Sequence, residues 1–338
     1  MTNSNKITRP SEVSIQKRTA LASAIGLAIA SYWGQASAQE RDRSQDELPA
    51  ITVEGKEFQP YKAEQLSSPK YPQPILDTPQ SITVINEQVI EEQGATTLRE
   101  VFRNISGTSL QAGEGNPGAG DQLSIRGFAV RDDIFRDGAR DVGLYERDPF
   151  NIEAVEVTKG PNSSYKGRGS TGANVNLKSK TPRGQDFAIG TATLGTDETL
   201  RSTIDYNQTL DDHGLDNAAF RLNLMGHDSE VADRDVTEKQ RWGVAPSFSL
   251  GMGTDTRATL SYMHVTQDNL PDQGIPNVRN TDFVGDPNIG RPAPVEDDKF
   301  FGIKGRDFED IDVDMVTFEF EHDVNENFSL RNQFRYQL

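Results

Sequence analysis

The residues best suited to hold a metal are four histidines, His213, His227, His264 and His322. They are scattered, with no two-to-three-ligand spacing. Cysteine is absent, which removes thiol nucleophiles, disulfides, cysteine-ligated zinc and iron–sulfur clusters together. Two stretches match GxGxxG, Gly113/Gly115/Gly118 and Gly167/Gly169/Gly172. A dinucleotide cradle needs a strand before the glycines and a helix after them. Pro117 lies inside the first match and a strand is predicted after the second, so these glycines serve tight loops. No Ser/His/Asp or His/Glu constellation has catalytic spacing, and no enzyme chemistry is predicted. What remains is recognition. Residues 131–147 hold four arginines and five acids around Tyr145, and Ile51-Thr52-Val53 is a strand-forming patch with nothing nearby to pair with.

The elements that must position these residues fall into four segments. Residues 1–38 read as a secretory signal: Lys6, Arg9, Lys17 and Arg18, an apolar core over 20–30, and Ala36-Ser37-Ala38 before Gln39. Residues 39–74 are a polar, proline-rich linker. Residues 75–185 read as a mixed α+β domain. A strand is predicted over 81–85, and a helix capped by Asn86 runs through Gln93. A second helix, capped by Thr97, has Leu98, Val101, Phe102 and Ile105 on one face. Short strands follow over 123–126, 134–136, 152–158 and 175–178.

From residue 186 to 338 the hydrophobic period becomes two. Leu200, Ile204, Tyr206 and Leu210 alternate with Arg201, Thr203, Asp205 and Asn207; Phe328, Leu330, Phe334, Tyr336 and Leu338 alternate with Arg331, Gln333 and Arg335. Seven strands are predicted, with turns over 210–218, 251–256 and 322–328 and polar loops over 228–240 and 268–312. Ten-residue alternating strands joined by short turns on one side and long loops on the other are the outer-membrane barrel pattern. A plugged barrel needs ~22 strands, so an antiparallel transmembrane β-barrel that is incomplete, an N-terminal fragment, is expected. The net charge of -17 makes nucleic acid a poor partner.

The order of these segments resembles the TonB-dependent outer-membrane receptors. The resemblance is carried by 77–85 (DTPQSITVI), 123–128 (LSIRGF), 152–161 (IEAVEVTKGP), Tyr165-Lys166-Gly167-Arg168, 172–177 (GANVNL) and 179–182 (SKTP). Within the family it looks most like the catecholate-type ferric-siderophore receptors. The resemblance implies a TonB box at Ile51, Thr52, Val53, Glu54 and Gly55, pairing by strand addition with TonB and its inner-membrane energy-transducing complex. It implies a plug over 75–185 whose loops meet the ligand through Gln111, Glu114, Asn116, Arg140, Gly143, Leu144, Tyr145 and Arg147. Arg126, Gly127, Glu153, Glu156, Lys159 and Gly160 are then expected to form a network locking plug to barrel wall. The transported ligand would be a ferric siderophore, with no covalent cofactor and no resident metal, in a bacterial outer membrane with its lipid as surroundings. Cobalamin or another bulky nutrient, or a non-transporting role as adhesin or phage receptor, are the alternatives.

Overall fold

The computed structural model describes residues 61–68, 70–71, 73–110, 120–161, 171–271, 274–278 and 289–338. The predicted signal, Ile51–Gly55, Gln111, Glu114 and Asn116 lie outside the described residues. Strand β1 (Ser81–Asn86) leads into helix α1 (Glu87–Glu92), and helix α2 (Leu98–Val101) follows. A capping box starts α2: Thr97 Oγ1 accepts the Glu100 amide at 3.3 Å, and Glu100 Oε2 accepts the Thr97 amide at 3.2 Å. The predicted longer helix tightens into a 3-10 turn over Phe102–Asn104. Its apolar stripe is nonetheless kept, since Leu98, Val101, Phe102 and Ile105 are all buried.

The short strands β2 (Thr108–Leu110), β3 (Leu123–Ile125) and β4 (Phe128–Ala129) form a small sheet. Strands β5 (Ile134–Arg136), β6 (Ala139–Arg140), β7 (Ile152–Lys159) and β8 (Ala173–Ser179) join β1 in the order β1-β7-β8-β5-β6. Among the described residues only β5 and β8 pair in parallel. Ile125, Val155, Val157, Val175 and Leu177 pack against the helical stripe in one core. Each such side chain contributes about 1.5–3 kcal/mol by leaving water.

A seven-stranded antiparallel meander follows: β9 (Phe187–Leu194), β10 (Leu200–Thr209), β11 (Ala219–Glu230), β12 (Glu238–Leu250), β13 (Thr256–Asn269), β14 (Glu309–Asn325) and β15 (Phe328–Gln337). β9 and β15 are its edges, so the sheet is not closed. Its burial is inverted relative to a soluble sheet. Arg201, Asp205, Asn207, Arg221, Asn223 and Gln267 are buried on the plug side, while Leu200, Trp242, Leu250, Leu260, Phe318 and Phe334 are exposed. Polar residues inside and apolar residues outside define a wall whose outer surface meets lipid. No helix among the described residues is long and apolar enough to cross a membrane.

Strand β14 starts earlier than the hydrophobic pattern predicts. Asp310, Asp312 and Asp314 alternate outward on β14 and carry no apolar signal, yet their backbone pairs in register with Asp268, Thr266 and His264. The wall also carries an apolar patch on its inner side, which the polar-inside rule does not anticipate: Met225, Ala245, Met263, Val265, Val313 and Met315 surround Tyr145 and Phe150 of the plug.

Candidate functional site: the plug loops and their seat on the wall

The segment joining β6 to β7 is organised around Arg147. Its Nε donates to Asp141 Oδ2 at 2.9 Å, and Nη1 donates to Asp121 Oδ2 at 3.2 Å and to the Tyr145 carbonyl at 3.4 Å. Nη2 donates to the carbonyls of Asp141 at 3.3 Å and Gly143 at 2.9 Å. All five guanidinium N–H groups are thereby used. The Tyr145 hydroxyl donates to Asp141 Oδ2 at 2.9 Å, and the Arg147 guanidinium lies 4.4 Å from the Tyr145 ring centre. Both side chains are 2% exposed.

The two acids differ electrostatically. Burial pushes the Asp121 carboxyl up to about 6, against the opposing pull of Arg147. Burial works against ionised Asp141 as well, but there the charge and hydrogen bond of Arg147 prevail and hold the carboxyl well below the usual range.

This geometry corrects the expected role of Tyr145 and Arg147. Their polar atoms are engaged within the plug, and the saturated Arg147 has no N–H left for a ligand. They shape the loop rather than present a contact. Gly143 is required by the same packing, because a Cβ there would fall 2.7 Å from the Tyr145 ring. Leu144 is exposed, and Arg140 is part-exposed, paired with Asp133 at 3.7 Å.

The same segment seats the plug on the wall. Phe150 packs against Gly243 of β12, where a Cβ would come within 2.8 Å of the ring. Asp148 accepts two hydrogen bonds from Arg201, at 2.7 and 2.8 Å, and lies 3.7 Å from Arg241. Burial disfavours its charge, but the charges of Arg201 and Arg241 hold its carboxyl below the usual range. Glu146 pairs with Lys239 at 3.0 Å and Arg241 at 3.1 Å. The Glu146 amide and carbonyl exchange hydrogen bonds with the Gln267 side chain.

Two further ion clusters flank this seat. Asp205 of β10 accepts from Arg221 at 2.8 and 2.6 Å and from Lys180 at 3.0 Å, and Lys180 reaches Glu87 at 2.6 Å. On the other side Arg335 of β15 pairs with Asp137 at 3.1 Å, and Gln337 donates to Asp141 at 3.2 Å.

The network expected between plug and wall from Arg126, Gly127, Glu153, Glu156, Lys159 and Gly160 is corrected. Among the described residues its members are bonded inside the plug. Glu153 pairs with Lys178 at 3.0 Å, and Lys159 donates to Ser106 at 3.1 Å. Glu156 accepts the Ser67 amide at 2.5 Å and the Asn176 amide group at 2.9 Å. Arg126 and Gly127 form the left-handed turn between β3 and β4, and Gly160, at φ +100°, closes onto Gly172. Glu153, Glu156 and Lys159 lie on β7, where their partners are Lys178 and Asn176 of β8, Ser106 and the linker residue Ser67. The wall contacts come instead from the irregular 137–150 segment and from Lys180 and Thr181 after β8. The sequence does signal the wall side: Arg201, Arg221 and Arg241 all fall on the polar face of alternating strands, and a buried inward arginine needs an acid opposite it.

A helix-bearing plug packed by buried ion pairs against a wall that is apolar outside and polar inside defines a plugged outer-membrane receptor. The chain belongs to the TonB-dependent receptors: the TonB-dependent Receptor Plug Domain model matches residues 74–174. It is 42% identical over 295 residues to the probable TonB-dependent receptor BfrD of Bordetella pertussis, covering 86% of this chain and 38% of that protein. It is 38% identical over 308 residues to the catecholate siderophore receptor Fiu of Escherichia coli K12, covering 89% of this chain and 40% of that one. The crystal structure of the ferric-catecholate import receptor Fiu in its open form superposes with a TM-score of 0.74 at 37% identity, over 82% of this chain and 41% of that chain. The chain thus spans about two fifths of the length of the relatives it matches.

Proposed function

We propose that the chain takes part in importing a ferric siderophore across the bacterial outer membrane, driven by TonB pulling on the plug. The observation that carries this reading is the way the plug is held. Its seat on the wall is built mainly from ion pairs and hydrogen bonds around one small apolar contact, Tyr145 and Phe150 against the inner patch. Such contacts can be exchanged for water when the plug moves, whereas a large apolar interface would hold it fast. The names of the similar receptors Fiu and BfrD support the same reading.

In this account Ile51, Thr52, Val53, Glu54 and Gly55 add as a strand to TonB's sheet, with Ile51 and Val53 facing one way and Thr52 the other. The ligand arrives with its iron already chelated, so recognition falls to the plug loops: Gln111, Glu114, Asn116, Arg140 and Leu144, with Gly143, Tyr145 and Arg147 fixing the loop's shape. Residues 1–38 direct export. The test is uptake of a radiolabelled ferric catecholate by cells carrying the full-length gene, with and without TonB. Uptake that needs both the gene and TonB is expected, and uptake indifferent to TonB would reject the reading.

A further inference from the structure

A recess lies between α2 of the plug and strands β11 and β12. It is a cavity of about 470 Å³ that includes Arg99, Arg103, His227, Lys239 and Arg241 in its lining. Arg241 is 2% exposed, yet its Nε and Nη2 have no hydrogen-bond partner. Its Nη1 is bonded to Glu146, and its Nη2 stands 3.7 Å from Asp148, beyond hydrogen-bond reach. The buried His227 is likewise without a partner on Nδ1. Arg99 and Arg103 have no ion pair among the described residues; of the three lining acids Glu100 is committed to the capping box and Glu146 to Lys239 and Arg241, while Glu230 is exposed at the rim. Buried donors left unmade are costly and call for an acceptor.

The geometry points to this cavity as an oxyanion subsite that takes a free carboxylate-class group of the bound chelate, through Arg241 from the wall and Arg99 from the plug. The subsite lies toward the β11–β12 loop at Glu230, near the start of the 111–119 segment at Leu110, where an acidic arm could reach it from the plug loops. Because it bridges plug and wall, an anion held there would tie ligand occupancy to plug position. The proposal rests on the import reading above.

The experiment uses the full-length receptor in detergent and two ferric tris(catecholate) complexes, identical except that one carries free carboxylates. The wild type is expected to bind the carboxylate-bearing complex about tenfold tighter or more, the scale of one charge-assisted hydrogen bond. Arg241→Gln should abolish that preference and Arg99→Gln reduce it, with affinity for the plain complex unchanged. Equal affinity in the wild type, or a preference surviving both substitutions, overturns the proposal. Should Arg241→Gln fail to fold, Arg99→Gln decides alone, and an undiminished preference overturns it. Should neither chelate bind, the import reading fails, and a selenate soak of receptor crystals then judges the subsite by itself. An anomalous peak within hydrogen-bond reach of Arg241 supports it; an empty or water-filled cavity overturns it.

Discussion

Asp148 and Arg201, 53 positions apart, face each other through two hydrogen bonds of 2.7 and 2.8 Å, with the carboxylate fully buried. One belongs to the plug and the other to the wall, and Arg241 approaches the same carboxylate from the next strand but one. Asp148→Ala would leave the buried Arg201 guanidinium uncompensated and would take one of two neighbouring acids from Arg241, which keeps Glu146. Loss of one partner of a buried pair costs about 3–5 kcal/mol. Plug amides over 140–151 should exchange faster with deuterium in the full-length Asp148→Ala receptor, and Arg201→Gln combined with Asp148→Asn should be milder than either single change.

Gly243 is a packing position, not a flexible joint. Its side-chain space is filled by Phe150. Gly243→Val should strain this contact by about 1–3 kcal/mol. The loss should be visible as a lower denaturation midpoint and be largely recovered by adding Phe150→Ala. An unchanged midpoint in Gly243→Val would show that Phe150 does not sit where β12 places it.

Acid should act on the plug in two opposite steps. The Asp121 carboxyl is raised by burial to about 6 in the fold, above its ordinary 3.8. Its ionised form is therefore the destabilising one, and its contribution is fully present below about 3.8 and lost as pH rises through about 6. A shift of about two units corresponds to something on the order of 2–3 kcal/mol. Asp141 is lowered, so its contribution is present above about 3.8 and fades as pH falls further. Denaturation of the full-length receptor across pH 4 to 8 should show stability declining between about 4 and 6.5, and Asp121→Asn should flatten that decline.

Trp242 points outward from β12 and is 43% exposed. On an outer face that meets lipid, its fluorescence should be quenched by bromine-bearing lipid chains. The quenchable fraction should fall in Trp242→Phe. Equal quenching in the two proteins would place this face away from the bilayer.

Much of this fold was legible because local and global signals agree. The stripe Leu98, Val101, Phe102 and Ile105 marks a helical segment, and the two-residue alternation from Leu200 onward marks the wall, since each period fits only one backbone geometry. The outer end of β14 was not legible because it reverses the wall's pattern: Ile311, Val313 and Met315 pack inward, while Asp312 and Asp314 face outward and accept cross-strand hydrogen bonds from Thr266 and Tyr262. The interface is hidden from the sequence for a related reason. Tyr145 and Arg147 are residue types that serve ligand contacts and buried networks equally well. Only the tertiary placement of Asp121, 26 residues before Arg147, decides between these uses. Glu156 and Lys159 sit in a family-like strand, which marks them as constrained without saying which neighbour constrains them.

The central claim is that a pull on the leader at Ile51–Gly55 moves a plug that is otherwise held by ion pairs. The most direct test is Val53→Pro in the full-length receptor, which removes a backbone donor from the segment that would pair with TonB. Ferric-catecholate binding at the cell surface should stay at the wild-type level while uptake falls to that of cells without TonB. Uptake at the wild-type rate in the Val53→Pro variant would contradict the account.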